Sequence, residues 1–131
     1  MIMSANKKIV LVVEDEPALR EVIALKLAKE DQIEVVTTTT GEDALRLLKE
    51  RKPSLIWLDL LLPGINGLEV LEKIRNAADL KNVPAVIVSV SAGEEKIKRA
   101  FELGALDYIV KSNNSIDDII KKVKGMLSEL M

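Results

Sequence analysis

The sequence of 131 residues contains no cysteine and no histidine. Without cysteine there is no disulfide, no thiolate nucleophile and no thiolate metal ligand. Without histidine there is no Ser-His-Asp triad, and no imidazole can act as base, metal ligand or phosphoryl carrier. Chemistry that needs a histidine must take it from a partner. Aromatic residues are scarce too, with one Trp, one Tyr and one Phe. A basic excess is also missing. Lys and Arg number 19 against 21 Asp and Glu, a net charge of −2. Direct nucleic-acid binding by phosphate neutralisation is therefore not expected. No apolar run approaches the roughly 18 residues of a membrane span. The apolar stretch after Lys7 and Lys8 stops at Glu14 and is too short for a secretory signal. We expect a soluble, cytoplasmic chain that does not engage membranes. Neither GxxxxGK[ST] nor GxGxxG occurs, so nucleotide binding has no motif behind it.

What is present suits one globular domain. Hydrophobic residues make up 48% and charged residues 31%, and a chain this long buries roughly two-thirds of its unfolded surface. We expect a single domain over residues 1–131, with its core at about 8–130 and a loose tail at 1–6. IVLVV (9–13), IEVVT (33–37), LIWL (55–58), AVIVSV (85–90) and DYIV (107–110) read as strands. Most are continuous apolar runs, as strands buried on both faces should be. Glu34 interrupts the second run and places it near an edge.

Helical periods fill the gaps. Leu19, Val22, Ile23 and Leu27 share a face, as do Ala44, Leu45 and Leu48. Leu68, Leu71 and Ile74 form a third stripe, and Ile97, Ala100 and Phe101 a fourth. Ile116, Ile119, Ile120, Val123 and Leu127 form the clearest. Pro17 suits a first helical turn. Thr40 and Ser115 are candidate N-caps, each with an acid three residues on. Gly104 marks a helix end. Strict strand–helix alternation predicts an α/β fold, a parallel sheet covered on both faces by right-handed crossovers. In such folds ligands bind beyond the carboxyl ends of the strands.

That rule gathers the acidic residues. The first strand ends at Glu14 and Asp15, and the third at Asp59. The fifth delivers Lys111, and the fourth runs through Ser89. Taken singly, each has an ordinary explanation. An Asp at a strand end is usually a turn former, Glu14 to Glu16 could favour a helix dipole, and a lysine is usually solvated. Together they place three carboxylates and an ammonium at one end of the sheet. Clustered carboxylates repel unless a cation intervenes; two cations could serve, the Lys111 ammonium and Mg²⁺, which also favours phosphate oxygens. Asp59 sits among Leu58, Leu60, Leu61 and Leu62, where an unpaired carboxylate would cost several kcal/mol. At the end of a buried strand it instead faces a polar crevice.

The stretches VLVVEDEP, PSLIWLDLLLPGINGLEVLEKIR, VPAVIVSVSA and ELGALDYIVK resemble the receiver domain of two-component response regulators. The resemblance runs from about Lys8 to the last helix. It implies a flavodoxin-like three-layer sandwich with a five-stranded parallel sheet of order 2-1-3-4-5 and five helices. It implies that Asp59 accepts a phosphoryl group from a histidine of a sensor kinase or a histidine phosphotransfer protein. It also implies Mg²⁺ held by Glu14, Asp15, Asp59 and the backbone carbonyl of Leu61. Lys111 would stabilise phosphoryl charge, Ser89 would bond the phosphoryl group, and Tyr108 would change rotamer with it. The output face would be the fourth helix, fifth strand and fifth helix, with Lys96, Lys98, Arg99 and Lys121 as candidate contacts for a downstream protein or effector domain. A solvated helix face explains those four equally well. Pro63, Gly64, Asn66 and Gly67 shape the turn after Asp59 and start the third helix.

The sequence departs from the family in three places. Ser112 follows the strand-end lysine where the family commonly has a cis proline, so the bond is either a strained cis or a trans. Val90 stands where a small residue is common and could shield an acyl phosphate. Glu14 replaces the more frequent aspartate. Two rivals compete with the phosphorylation switch. One is a pseudo-receiver that binds proteins without being phosphorylated. The other is a phosphohydrolase, which would usually carry an acid two residues after its nucleophile, where Leu61 stands. The switch reading is not that of a multiple-turnover enzyme on an external substrate. Trp57, two residues before Asp59, is expected to report on the site by fluorescence.

Overall fold

The computed structural model describes residues 7–130. The tail expected at 1–6 lies outside them. Five strands alternate with five α-helices: β1 (Lys8–Val13), α1 (Pro17–Ala28), β2 (Ile33–Thr38), α2 (Gly41–Leu48), β3 (Leu55–Leu58), α3 (Gly67–Asn76), β4 (Ala85–Ser89), α4 (Glu94–Glu102), β5 (Asp107–Val110) and α5 (Ile116–Glu129). All strand pairs are parallel, in the order β2-β1-β3-β4-β5. β2 is an edge strand, in keeping with Glu34 in its run.

Side chains alternate across the sheet. Val10, Val12, Leu55, Trp57, Val86, Val88 and Ile109 face α1 and α5, where they meet Ile23, Leu27, Ile119, Ile120, Val123 and Leu127. Leu11, Val13, Ile56, Leu58, Ala85 and Ile87 face α2, α3 and α4, where they meet Ala44, Leu48, Val70, Leu71, Ile74 and Ala100. Each Leu, Ile or Val side chain buried here contributes about 1.5–3 kcal/mol. The result is a three-layer sandwich, with continuous apolar strands because both faces are covered.

Sequence signals set the helix ends. Pro17 opens α1. Thr40 accepts from the Asp43 amide and Ser115 from the Asp118 amide, each at 3.1 Å. Asn66 and Glu69 form a reciprocal capping box at α3. Gly104 follows α4 at φ +79°, a left-handed conformation that favours glycine.

Three expectations need correction. Val22 is exposed rather than packed, because Leu19, Ile23 and Leu27 already form the buried stripe and Val22 sits about 100° round the helix from Ile23. Phe101 is also exposed. α4 fully buries Ala100 alone, and Phe101 turns off that line by the same angle. The fourth strand stops at Ser89, which leaves Val90 outside it and 57% exposed.

Candidate functional site

Strand order brings the expected carboxylates together. β1 and β3 are neighbours, with Val13 beside Leu58, so the residues just beyond them share one crevice. Backbone bonds extend the ladder past the strands: Glu14 donates to Thr38 at 3.1 Å, and Asp59 donates to Val13 at 3.1 Å. Glu14 and Asp59 are buried, while Asp15 is exposed. One carboxylate oxygen from each of the three lies within 4.8 Å of the others.

Lys111 reaches this cluster from the end of β5. Its ammonium donates to Glu14 Oε1 at 2.7 Å and to Asp59 Oδ2 at 2.9 Å. The remaining oxygens of those two groups take backbone amides. Glu14 Oε2 accepts from Glu16 at 3.2 Å, and Asp59 Oδ1 accepts from Leu61 at 3.1 Å. Burial pushes the Glu14 carboxyl up, against the pull of Lys111, and the Asp59 charge adds to the rise. Burial pulls the Lys111 ammonium down, but its bonds to Glu14 and Asp59 outweigh that and leave its pKa raised. The described residues contain no cis peptide bond, so Lys111–Ser112 is trans. A 3-10 turn at Lys111–Asn113 carries the chain away while the ammonium still reaches both carboxylates.

Ser89 is fully buried. Its hydroxyl accepts from the Ser91 amide at 3.3 Å and makes no hydrogen bond to the carboxylates. The Tyr108 hydroxyl donates to the Ser91 carbonyl at 2.6 Å, and burial raises its pKa, with the Asp59 charge adding to it. One short segment, Ser89 to Ser91, thus links β4 to Tyr108. Leu61 is 48% exposed at the crevice rim, and its carbonyl accepts no hydrogen bond from the described residues. Among the expected output residues, Lys96 donates to Ser91 Oγ at 3.2 Å and Arg99 pairs with Glu72 at 2.9 Å. Lys98 and Lys121 are exposed.

Two supporting residues escaped sequence reasoning. Arg20 donates to the Glu14 and Asp15 carbonyls at 3.2 and 3.4 Å and so braces the acidic turn. Its place one turn into α1, as the first cation after the acidic pair, was a usable signal. Glu42 of α2 accepts from the Ile65 amide at 3.3 Å and holds the loop after Asp59. Nothing local foretold that contact between α2 and the loop after β3.

The family model of the response regulator receiver domain matches residues 10–124. This chain belongs to that family. It is 38% identical over 123 residues to a protein-glutamate methylesterase/protein-glutamine glutaminase of Bacillus subtilis (strain 168), covering 92% of this chain and 34% of that protein. It is 39% identical over 101 residues to the transcriptional regulatory protein AfsQ1 of Streptomyces coelicolor, covering 77% of this chain and 43% of AfsQ1. The receiver thus spans well under half the length of these curated relatives. Among solved structures, the Mn(2+)-bound response regulator Rcp1 superposes with a TM-score of 0.80 at 32% identity, covering 92% of both chains. The phosphorylated cyanobacterial phytochrome response regulator RcpA gives 0.81 at 34% identity, covering 92% of this chain and 91% of its own. The strand order is the one the resemblance implied, and Glu14, Asp15 and Asp59 lie together at the strand ends. Among the described residues, no helix is long and apolar enough to cross a membrane.

Proposed function

We propose that this receiver is a phosphorylation-dependent switch that accepts a phosphoryl group on Asp59 from a partner histidine. The bridge from Lys111 to both Asp59 and Glu14, beside the exposed Asp15, carries this reading. The chain has an acceptor carboxylate and a cation fixed against it, and it lacks a histidine of its own. An Asp59 oxygen attacks phosphorus, the phosphorus–nitrogen bond of the donor breaks, and the electron pair leaves on the imidazole nitrogen, which takes up a proton. Lys111 exchanges its Asp59 contact for a phosphoryl oxygen while Glu14 keeps hold of it. Ser89 bonds the phosphoryl group, and the segment to Ser91 carries that movement to Tyr108. Such a change biases two existing conformations of the protein-binding surface.

The carboxylate set fits a hard divalent cation. Glu14, Asp15, Asp59 and the free carbonyl of Leu61 would hold Mg²⁺. When bound, Mg²⁺ supplies positive charge that offsets the phosphoryl oxygens. The Mn(2+)-bound Rcp1 and phosphorylated RcpA structures support both halves of the reading. The donor would be a sensor kinase or a histidine phosphotransfer protein in the cytoplasm, and the output a downstream protein or effector domain. The chain changes its own state and turns over no external substrate.

Intact mass after incubation with a small phosphodonor tests this directly. One added phosphoryl group should require both a divalent cation and Asp59, and should be absent in Asp59→Asn. If neither a small donor nor a phosphorylated histidine protein adds mass, the chain is a phosphorylation-independent binding module instead.

A further inference from the structure

Lys111 carries the cation of the site from a position just past the sheet. The β4–β5 register ends with Ser89 beside Val110, so Lys111 stands one residue beyond the ladder, on an edge strand. From there its side chain crosses the end of β4 to Asp59, beyond β3, and on to Glu14, beyond β1. These are two and three strand spacings, roughly 10 and 14 Å. Such a span leaves the stem little slack. The direction in which the Lys111 backbone launches it therefore decides whether the ammonium meets both carboxylates.

Asn114 fixes that direction from both sides. Its side-chain Nδ2 donates to the Val110 carbonyl at 2.9 Å, and its backbone amide donates to the Lys111 carbonyl at 3.4 Å. Those two carbonyls belong to the peptide planes before and after the Lys111 Cα. Holding both planes holds φ and ψ of Lys111, the only soft backbone dihedrals there. The residues between, Ser112 and Asn113, are exposed. Among the described residues their side chains make no hydrogen bond.

Asn114 is itself anchored. Its Oδ1 accepts from the Lys122 ammonium at 3.1 Å. An amide has one acceptor end and one donor end, so a cation on Oδ1 leaves Nδ2 for the Val110 carbonyl. Lys122 makes no ion pair among the described residues. It lies on α5, which is seated in the core by Ile119, Ile120 and Val123. Asn114 also directly precedes Ser115, the N-cap of α5. The turn that follows Lys111 is thus joined to a packed helix at two points.

We infer that Asn114 is a positioning residue for phosphoryl transfer: backed by Lys122, its side-chain amide aims Lys111 at Glu14 and Asp59. Asn114 touches none of the reacting groups and acts through the Lys111 backbone. The inference rests on the switch reading for the reaction, while the aim of Lys111 can be measured in the unmodified protein.

Nuclear magnetic resonance of the Lys111 Cε methylene, assigned by its loss in Lys111→Met, makes that measurement. A side chain held in one place gives its two Hε protons different shifts, and a freely turning one gives them the same. The native protein should show two shifts. Asn114→Leu, which keeps the volume and loses both side-chain bonds, should merge them. Asn113→Leu, the same change one residue earlier, should leave them apart. With a small phosphodonor and Mg²⁺, followed by intact mass, Asn114→Leu should lower the maximal rate roughly tenfold or more at an unchanged half-saturating donor concentration. Asn113→Leu should match the native rate. If Asn114→Leu does not fold, Asn114→Asp, which keeps Lys122 and loses the donor, should act in the same direction. Merged shifts in the native protein, two shifts or a native rate in the folded Asn114 variants, or equal losses in Asn113→Leu overturn the inference. If the native protein takes up no phosphoryl group from a small donor or a phosphorylated histidine protein, the switch reading fails, and the methylene shifts still decide whether Asn114 aims Lys111.

Discussion

Lys111 lies nearer to Glu14 than to Asp59, at 2.7 against 2.9 Å. The ammonium therefore has a second seat when Asp59 gives up its contact. The longer Glu14 side chain also keeps its other oxygen on the Glu16 amide, so the acidic turn and the lysine brace each other. The local charge still does not balance, because one ammonium bridges two carboxylates and the Asp15 carboxylate stands within 4.8 Å of both.

Asp59→Asn should accordingly stabilise the unmodified protein. The amide keeps an oxygen for Lys111 or Leu61 and removes one negative charge from a buried cluster. We expect a gain of about 1 kcal/mol in denaturant unfolding, the scale of one pKa unit of relieved carboxylate repulsion, together with complete loss of phosphoryl acceptance. A loss of stability would mean that the Asp59–Lys111 pair outweighs the repulsion.

The pH dependence follows from the two raised pKa values. Lys111 binds its proton more tightly folded than unfolded, where its ordinary value is 10.5. The stability it contributes is complete below that pH and is lost as pH rises through the folded value above it. Glu14 is also raised, from 4.5. Folded protein holds that proton longer, so stability falls as pH climbs from 4.5 through the raised value. Denaturation midpoints across pH should show both slopes. Lys111→Met should flatten the alkaline one, and Glu14→Gln the acidic one.

Much of this was legible because signals agreed. Continuous runs such as LIWL, set in strict alternation with helical periods, read as strands covered on both faces, and Pro17, Thr40, Ser115 and Gly104 marked helix ends that the structure keeps. The meeting of Glu14, Asp15, Asp59 and Lys111 was legible because strand ends converge in a parallel sheet. Periodicity misplaced Val22 and Phe101, since an apolar residue beside a buried stripe looks like part of it. Contacts such as Glu42 to Ile65 or Arg75 to Leu103 depend on three-dimensional proximity alone. A polar residue on a helix carries no local trace of the carbonyl it will meet.

Gly67 was read as a turn residue, but its need is steric. A Cβ there would stand 2.2 Å from the Asp59 carbonyl oxygen and 2.8 Å from Leu60 Cα. Both are backbone atoms in the turn that aims Asp59, so neither can move cheaply. Gly67→Ala should cost about 3 kcal/mol and slow phosphorylation by shifting the acceptor. A fully active, equally stable Gly67→Ala protein would show that α3 can back away from this turn without cost.

Trp57 offers the readout for metal binding. It is fully buried on the α1 and α5 side, and its indole N–H has no hydrogen-bond partner. It shares a strand face with Asp59, two residues on. A divalent cation gathered by Glu14, Asp15 and Asp59 would change the field at the indole without changing its packing. Mg²⁺ titration should therefore alter Trp57 emission and raise thermal stability with a common midpoint, by about 2.7 kcal/mol at a hundredfold excess over Kd. Asp15→Asn removes the exposed carboxylate of the set while leaving the Lys111 bridge intact, so it should suppress both responses and keep the fold. If stability rises in the native protein while emission stays flat, the cation binds but the indole does not sense it. If both stay flat, the carboxylates are held by Lys111 alone and the metal reading fails.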